Sequence, residues 1–168
     1  MKDGRTVVVR RAREADAEQL LRNINDVGAE MEWILTESIP WDSRREREWI
    51  RGFDDRSSIL YVADVDGKVV GQLDVHIASY PKARHVANLG VAVVKAYRDL
   101  GIGRALMERA LAWMKGRGVE KATLEVFSTN SRAITLYRKM GFEVEGVRRR
   151  QYRIRATYVD DVLMAKWL

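Results

Sequence analysis

Apolar residues recur along this chain in two rhythms, one of period two and one of period 3.6, and the switches between them mark out the elements. Residues 6–10 are a short Val-rich run and read as a first strand. Ala17, Leu20, Leu21, Ile24 and Val27 then recur at helical spacing. Glu14 and Asp16 stand in the first turn, where the helix dipole favours negative charge. Ser43, Arg44, Arg45 and Glu46 have capping-box spacing and precede Trp49, Ile50 and Phe53 on one face, which predicts a second helix soon after Pro40. Residues 59–65 and 69–78 are β-rich runs joined by Asp66-Gly67, a two-residue hairpin signal. Residues 87–94 are nearly all apolar and predict a strand buried on both faces.

Ile102, Ala105, Leu106, Ala110, Trp113 and Met114 form the stripe of a helix over 102–117, closed by Gly116 and Gly118. Residues 121–127 alternate as a strand. Asn130 or Ser131 caps a short helix carrying Ile134, Tyr137 and Met140 and ended by Gly141. Residues 142–155 and 158–168 read as a closing strand pair. No repeat, low-complexity stretch or Pro/Ser-rich linker interrupts the pattern, so one continuous α/β domain over 1–168 is expected.

Composition narrows the chemistry. The 168 residues include no cysteine, which excludes disulfides, thiolate metal sites and a thiol nucleophile. Two histidines, His76 and His85, are too few for a conventional zinc site, and no metal is expected. The net charge of +6 is modest, with both signs interspersed. The one dense basic run, at 148–155, reads as a solvated strand face, and no RNA-binding motif accompanies it, so no nucleic acid is expected. No apolar run approaches the ~18 residues of a membrane span, and Met1-Lys2-Asp3-Gly4-Arg5 lacks a signal-peptide apolar stretch. A cytoplasmic protein without membrane partners is the expectation.

The sharpest candidate for chemistry is Arg98-Asp99-Leu100-Gly101-Ile102-Gly103-Arg104-Ala105, between the apolar strand and the long helix. A helix start offers backbone N–H groups without intrahelical partners and the positive end of the peptide dipoles. Glycines let an anion approach those groups closely, and Arg98 and Arg104 add positive charge, which is the build of a pyrophosphate site. The dinucleotide fingerprint fits poorly, because Leu106 stands where its third small residue belongs. No Gly-x-x-x-x-Gly-Lys-Ser/Thr loop is present.

The run Arg98-x-x-Gly101-x-Gly103-Arg104-Ala105-Leu106 resembles the acetyl-CoA pyrophosphate motif of the GNAT superfamily of N-acetyltransferases. A second stretch is similar to the Asn-x-x-Ala-x-x-Leu-Tyr-x-x-x-Gly-Phe pattern of the same superfamily, from Asn130 through Ala133, Leu136 and Tyr137 to Gly141-Phe142. The order of elements agrees over nearly the whole chain. The resemblance implies the GNAT fold, a mixed central sheet of about seven strands flanked by about four helices. It implies acetyl-CoA as acetyl donor, with the amides of Leu100, Gly101, Ile102, Gly103, Arg104 and Ala105 on the pyrophosphate and Arg98 and Asp99 flanking it. Val91, Ala92 and Val93 would pair with the pantetheine arm, an N–H near Val91 would polarise the thioester carbonyl, and Asn130 and Ala133 would border the cofactor. Tyr137 would sit by the sulfur as general acid; the other reading is core packing on a short amphipathic helix.

The attacking amine must be neutral, and a lysine-like amine with pKa of about 10.4 is mostly protonated near pH 7. The fourth strand lacks the Glu often placed there in the superfamily. Glu125, Asp74 and His76 are the candidate bases, with a water chain as alternative; Glu125 stands inside a predicted strand. Trp33 and Glu37, between the first two helices, fall where the superfamily places its acceptor loop. The function expected is direct acetyl transfer to the primary amine of a small molecule, an amino acid or related amine. A protein N-terminal or lysine acetyltransferase and a non-catalytic acyl-CoA-binding module are the alternatives. Trp167 and Leu168 point to a strand pairing across a homodimer.

Overall fold

Among the residues described by the computed structural model, 4–168, seven strands form one sheet. They are β1 (Val8–Arg11), β2 (Ser58–Val65), β3 (Lys68–Ile77), β4 (Val86–Val93), β5 (Lys121–Phe127), β6 (Glu143–Ile154) and β7 (Thr157–Trp167). Their spatial order is β1-β2-β3-β4-β5-β7-β6. Neighbours are antiparallel except β4 and β5, which are parallel and joined through a helix. The helices are α1 (Ala17–Ala29), α2 (Ser43–Arg51), α3 (Ile102–Gly116) and α4 (Ser131–Lys139). Met1, Lys2 and Asp3, part of the stretch read above for targeting, lie outside the described residues. Among the described residues no helix is long and apolar enough to cross a membrane.

Alternation along β2 sorts the core into two layers. Ile59, Tyr61 and Ala63 join Leu73, Val75, Leu106, Met107, Met114 and Phe142 on the α3 and α4 face. Leu60 and Val62 join Val69, Leu20, Ala17 and Ile50 on the α1 and α2 face. Leu106 and Val62 are fully buried, and removing a side chain such as Leu106 to Ala costs about 2–5 kcal/mol. The β2–β3 turn has Asp66 at φ 53° and Gly67 at φ 79°, the two left-handed residues of a type I′ hairpin.

Three expectations change. The cap of α2 is Asp42, whose side chain accepts from the Arg45 amide at 3.0 Å, and not Ser43. Glu46, displaced from a capping box, is buried and accepts from Trp41 Nε1 at 2.9 Å. Strand β4 is not buried on both faces: Asn88 and Gly90 are exposed and residues 91–93 half-buried, because the sheet opens beside it. Trp167 is exposed, but its backbone pairs with Lys121 of the same sheet. β7 lies between β5 and β6, paired with β5 through Trp167 and with β6 from Ala165 back to Thr157, so the strand offered for pairing across a dimer is taken within the sheet.

Candidate active site

Strands β4 and β5 pair at only three positions, Val86 with Lys121, Ala87 with Ala122 and Asn88 with Thr123. Pairing of β4 with β3 continues to Val93, and of β5 with β7 to Phe127. Beyond Asn88 and Thr123 the sheet therefore splits, with both facing edges unpaired. The carbonyls of His85 and Ala87 point toward β5, where they accept from Lys121 N and Thr123 Oγ1, while that of Val86 points the other way. By alternation Leu89, Val91 and Val93 turn their main-chain groups into the split. A cleft of about 770 Å³ runs through it, from the turn before α3 to β6 and β7.

At one end, Gly101 is the N-cap of α3 in a left-handed conformation, φ 92°, which favours glycine. Its carbonyl accepts from Ala105 N at 3.0 Å, so the Ala105 amide is spent within the helix. The amides of Ile102, Gly103 and Arg104 are the first-turn donors without intrahelical partners. Ile102 buries its side chain in the core and fixes this turn. Gly103 has ordinary φ, and a Cβ there would meet only Leu136 Cδ2 at 3.5 Å. Neither backbone nor packing requires glycine at 103. Its bare surface leaves room at the amides for a ligand, and the cradle fits a pyrophosphate.

The two arginines divide. Arg104 is exposed and bonds Glu108 through Nε at 2.8 Å. Arg98 is a clamp: Nε donates to Val93 O at 2.9 Å, and both terminal nitrogens bind the Glu30 carboxylate at the end of α1. The Arg98 bonds hold the Glu30 carboxyl below its ordinary range. Asp99 pairs with Arg132 of α4 at 2.9 Å. Leu100 is half-buried beside the turn.

Across the split, Asn130 caps α4 by accepting from Ala133 N at 3.1 Å, and Asn130, Ala133 and Tyr137 all line the cleft. Tyr137 is 6% exposed with its ring 6.0 Å from Phe142, and its hydroxyl has no hydrogen-bond partner among the described residues. Burial pushes its pKa up to about 12, so the hydroxyl stays neutral at ordinary pH.

Of the two residues read as an acceptor loop, the structure brings Trp33 to the cleft, beside Arg98 and Arg132, and leaves Glu37 out. Trp33 donates through Nε1 to Glu30 at 2.7 Å, and the Arg98 and Arg132 guanidinia lie over its ring at 5.3 and 5.5 Å. Glu37 is exposed and absent from the lining. Its carbonyl and that of Thr36 instead press on Gly28 of α1, where a Cβ would lie 2.5 Å from the Glu37 oxygen. Asp74 and His76 pair on β3 at 3.4 Å outside the lining, and the Asp74 bond raises the His76 pKa. Glu125 does line the cleft, and it pairs with Arg148 of β6 at 3.0 Å. That arginine, read in sequence as a solvated face, also bonds Asp161, a buried carboxylate on β7.

The acetyltransferase (GNAT) family matches residues 28–142. Over 95% of its length the chain is 32% identical to an L-amino acid N-acetyltransferase of Escherichia coli, covering 97% of that protein. It is 33% identical to an N-alpha-acetyltransferase of Sulfurisphaera tokodaii, over 98% of this chain and 95% of that one. Among solved structures, a GNAT acetyltransferase from Streptococcus pneumoniae superposes with a TM-score of 0.89 at 27% identity, covering 97% of this chain and 99% of that one. The yncA protein of Salmonella typhimurium, solved with its cofactor acetyl-CoA, shares the fold at a TM-score of 0.88 and 20% identity, over 97% of this chain and 94% of that one. The chain belongs to the acetyltransferase (GNAT) family and is an N-acetyltransferase.

Proposed function

We propose that the chain, as one catalytic domain over 1–168, transfers acetyl from acetyl-CoA directly to the primary amine of a small molecule, an amino acid or a related amine. One observation carries the transfer reading: a single cleft joins a glycine-opened helix start to the buried tyrosine hydroxyl on the far side of a split sheet. The amino-acid reading is supported by the end-to-end likeness to the L-amino acid N-acetyltransferase. A second reading, a peptide N-terminus as acceptor, is favoured by the equally extensive likeness to the N-alpha-acetyltransferase.

Acetyl-CoA, when bound, supplies the acetyl group as an activated thioester. The amides of Ile102, Gly103 and Arg104 would hold its pyrophosphate, with Arg104 adding charge. The open edge of β4 would pair with the pantetheine arm, and the Val91 N–H would polarise the acyl carbonyl. Tyr137 offers a neutral O–H to the departing sulfur. At about 12 its pKa lies well above the roughly 8.5 of a thiol, so hydrogen-bond donation dominates over full proton transfer. Glu125 on the opposite wall would take the proton of the incoming amine. With no cysteine in the chain, no acyl-cysteine forms and the amine attacks directly. The test is CoA release measured across amino acids, polyamines and peptides with free N-termini. Turnover of amino acids above peptides supports the first reading, the reverse order supports the second, and no turnover of any amine overturns both.

A further inference from the structure

The acceptor end of the cleft is built on an irregularity in the sheet. Strands β6 and β7 pair in register from Arg148 with Asp161, then resume at Tyr152 with Val159, so β6 carries two extra residues between the paired positions. Arg150, inside this bulge, has φ 53°, and its amide donates to Asp160 Oδ1 at 2.7 Å. Bulges re-aim side chains, and a strained residue persists only where its surroundings hold it. Here the effect is that Arg148 and Tyr152, four residues apart, both reach one carboxylate. Arg148 Nη1 donates to Asp161 Oδ2 at 2.9 Å and Tyr152 O–H to the same oxygen at 3.4 Å.

Asp161 is 1% exposed, whereas Arg148 and Glu125 are each nearly half exposed. An exposed Arg–Glu pair holds neither side chain firmly, because side-chain entropy and solvent offset its attraction. A pair tethered to a buried anchor is different. The same Arg148 nitrogen that reaches Asp161 also pairs with Glu125 Oε1 at 3.0 Å, so one end of the guanidinium bridges the buried carboxylate on β7 and the exposed one on β5. Glu125 and Phe127 on β5 share this face with Asp161, since Phe127 pairs with Asp161 and side chains two apart point alike.

We propose that Asp161 is a positioning residue for the acceptor side of the reaction: through Arg148 it holds the Glu125 carboxylate at one place on the cleft wall. The inference rests on the role given to Glu125 above. Asp161 borders the same cleft but is 1% exposed, so its part is played through Arg148. The titratable groups that face it are Glu125 from β5 and Arg148 and Tyr152 from β6, and burial together with the Glu125 charge raises its pKa.

The experiment is a double-mutant cycle on the whole chain with Glu125→Gln and Asp161→Asn, reading kcat and both KM values. Asp161→Asn is expected to lower kcat/KM for the acceptor at least tenfold while the KM for acetyl-CoA stays within twofold. In the Glu125→Gln background the same change should add less than twofold. Should Asp161→Asn fail to fold, Arg148→Gln cuts the link from the exposed side; it should reproduce the loss, and should add less than twofold once Glu125→Gln is in place. If Glu125→Gln lowers kcat and the second change multiplies it in full, the Asp161 inference is overturned and Glu125 stands. If Glu125→Gln leaves kcat unaltered, the Glu125 role falls and takes the Asp161 inference with it.

Discussion

At the α3 end of the cleft the groups that face a ligand are main-chain amides; at the β7 end they are side chains drawn from β5, β6 and β7. The amides of Ile102, Gly103 and Arg104 stand where they do because a helix begins there, and any helix start supplies such donors. What is particular is bare space at Gly103 and the left-handed cap at Gly101. The Glu125–Arg148–Asp161 chain, by contrast, exists only when three strands take one register. A site made of backbone depends on a few small residues close in sequence. A site made of side chains depends on the whole sheet, and it can vary without disturbing the first.

The largest effect expected is at the backbone end. Gly103→Trp fills the space at the amides while the surrounding packing tolerates a side chain, so the fold should survive and acetyl-CoA binding should vanish. For the parent, ligand at 100 times Kd should stabilise by about 2.7 kcal/mol, or roughly 5–10 °C in Tm for a domain of this size. The variant should show no shift; a normal shift in a folded variant contradicts the amide cradle.

Tyr137→Phe comes next. With no partner for its hydroxyl among the described residues, the change should alter stability by well under about 1 kcal/mol. In contrast, kcat should fall on the order of 10²-fold with acetyl-CoA affinity nearly constant. The raised pKa adds a second readout. The folded pKa exceeds the unfolded value, so the burial of Tyr137 favours folding below about pH 10 and that contribution fades as pH climbs toward 12. Tyrosinate absorbance of parent and variant should coincide up to about pH 11 and separate above it.

The residues read as acceptor-binding should respond in smaller steps. Trp33→Ala should raise the acceptor KM by roughly tenfold, about 1.4 kcal/mol, with less change at the cofactor. Glu37→Ala should change neither, since its side chain stands outside the lining. Equal effects of the two would erase the distinction drawn between them.

The smallest effect concerns a pair outside the cleft. Asp74 raises the His76 pKa, so Asp74→Asn should lower it, as read by NMR titration of the ring. The pair favours folding below about pH 6.5 and loses that contribution as pH rises through the folded pKa. Acetyl transfer should be unaffected.

This contrast also explains which parts of the molecule are legible in sequence. The Gly101-Ile102-Gly103 turn and the Asn130 cap are local, so each is visible in one short window. The Asp66-Gly67 hairpin is visible for the same reason, because its φ values demand those residue types. Arg98 is visible as a residue but not in its role. Its partner Glu30 is 68 positions away, and nothing local distinguishes a phosphate-binding arginine from a clamp. Asp161 lies 36 positions from Glu125, and their common face follows only from the β5–β7 register. The exposure of β4 is hidden because an apolar run does not say whether its neighbour strand stays paired. Ser43 and Asp42 both suit the cap of α2, and only geometry chooses between them.

Gly28 has a wider consequence. Its missing side chain lets the chain at Thr36 and Glu37 lie directly on α1, and the Asn25 side chain pins the next stretch by accepting from Ile39 N at 2.7 Å. The path of the segment that follows Trp33, Ile34 and Leu35 out of the cleft is thus set from beneath, by a helix residue outside the lining. Any larger residue at 28 must lift the strap above it. A search for altered variants that sampled only the walls of the cleft would pass over this position.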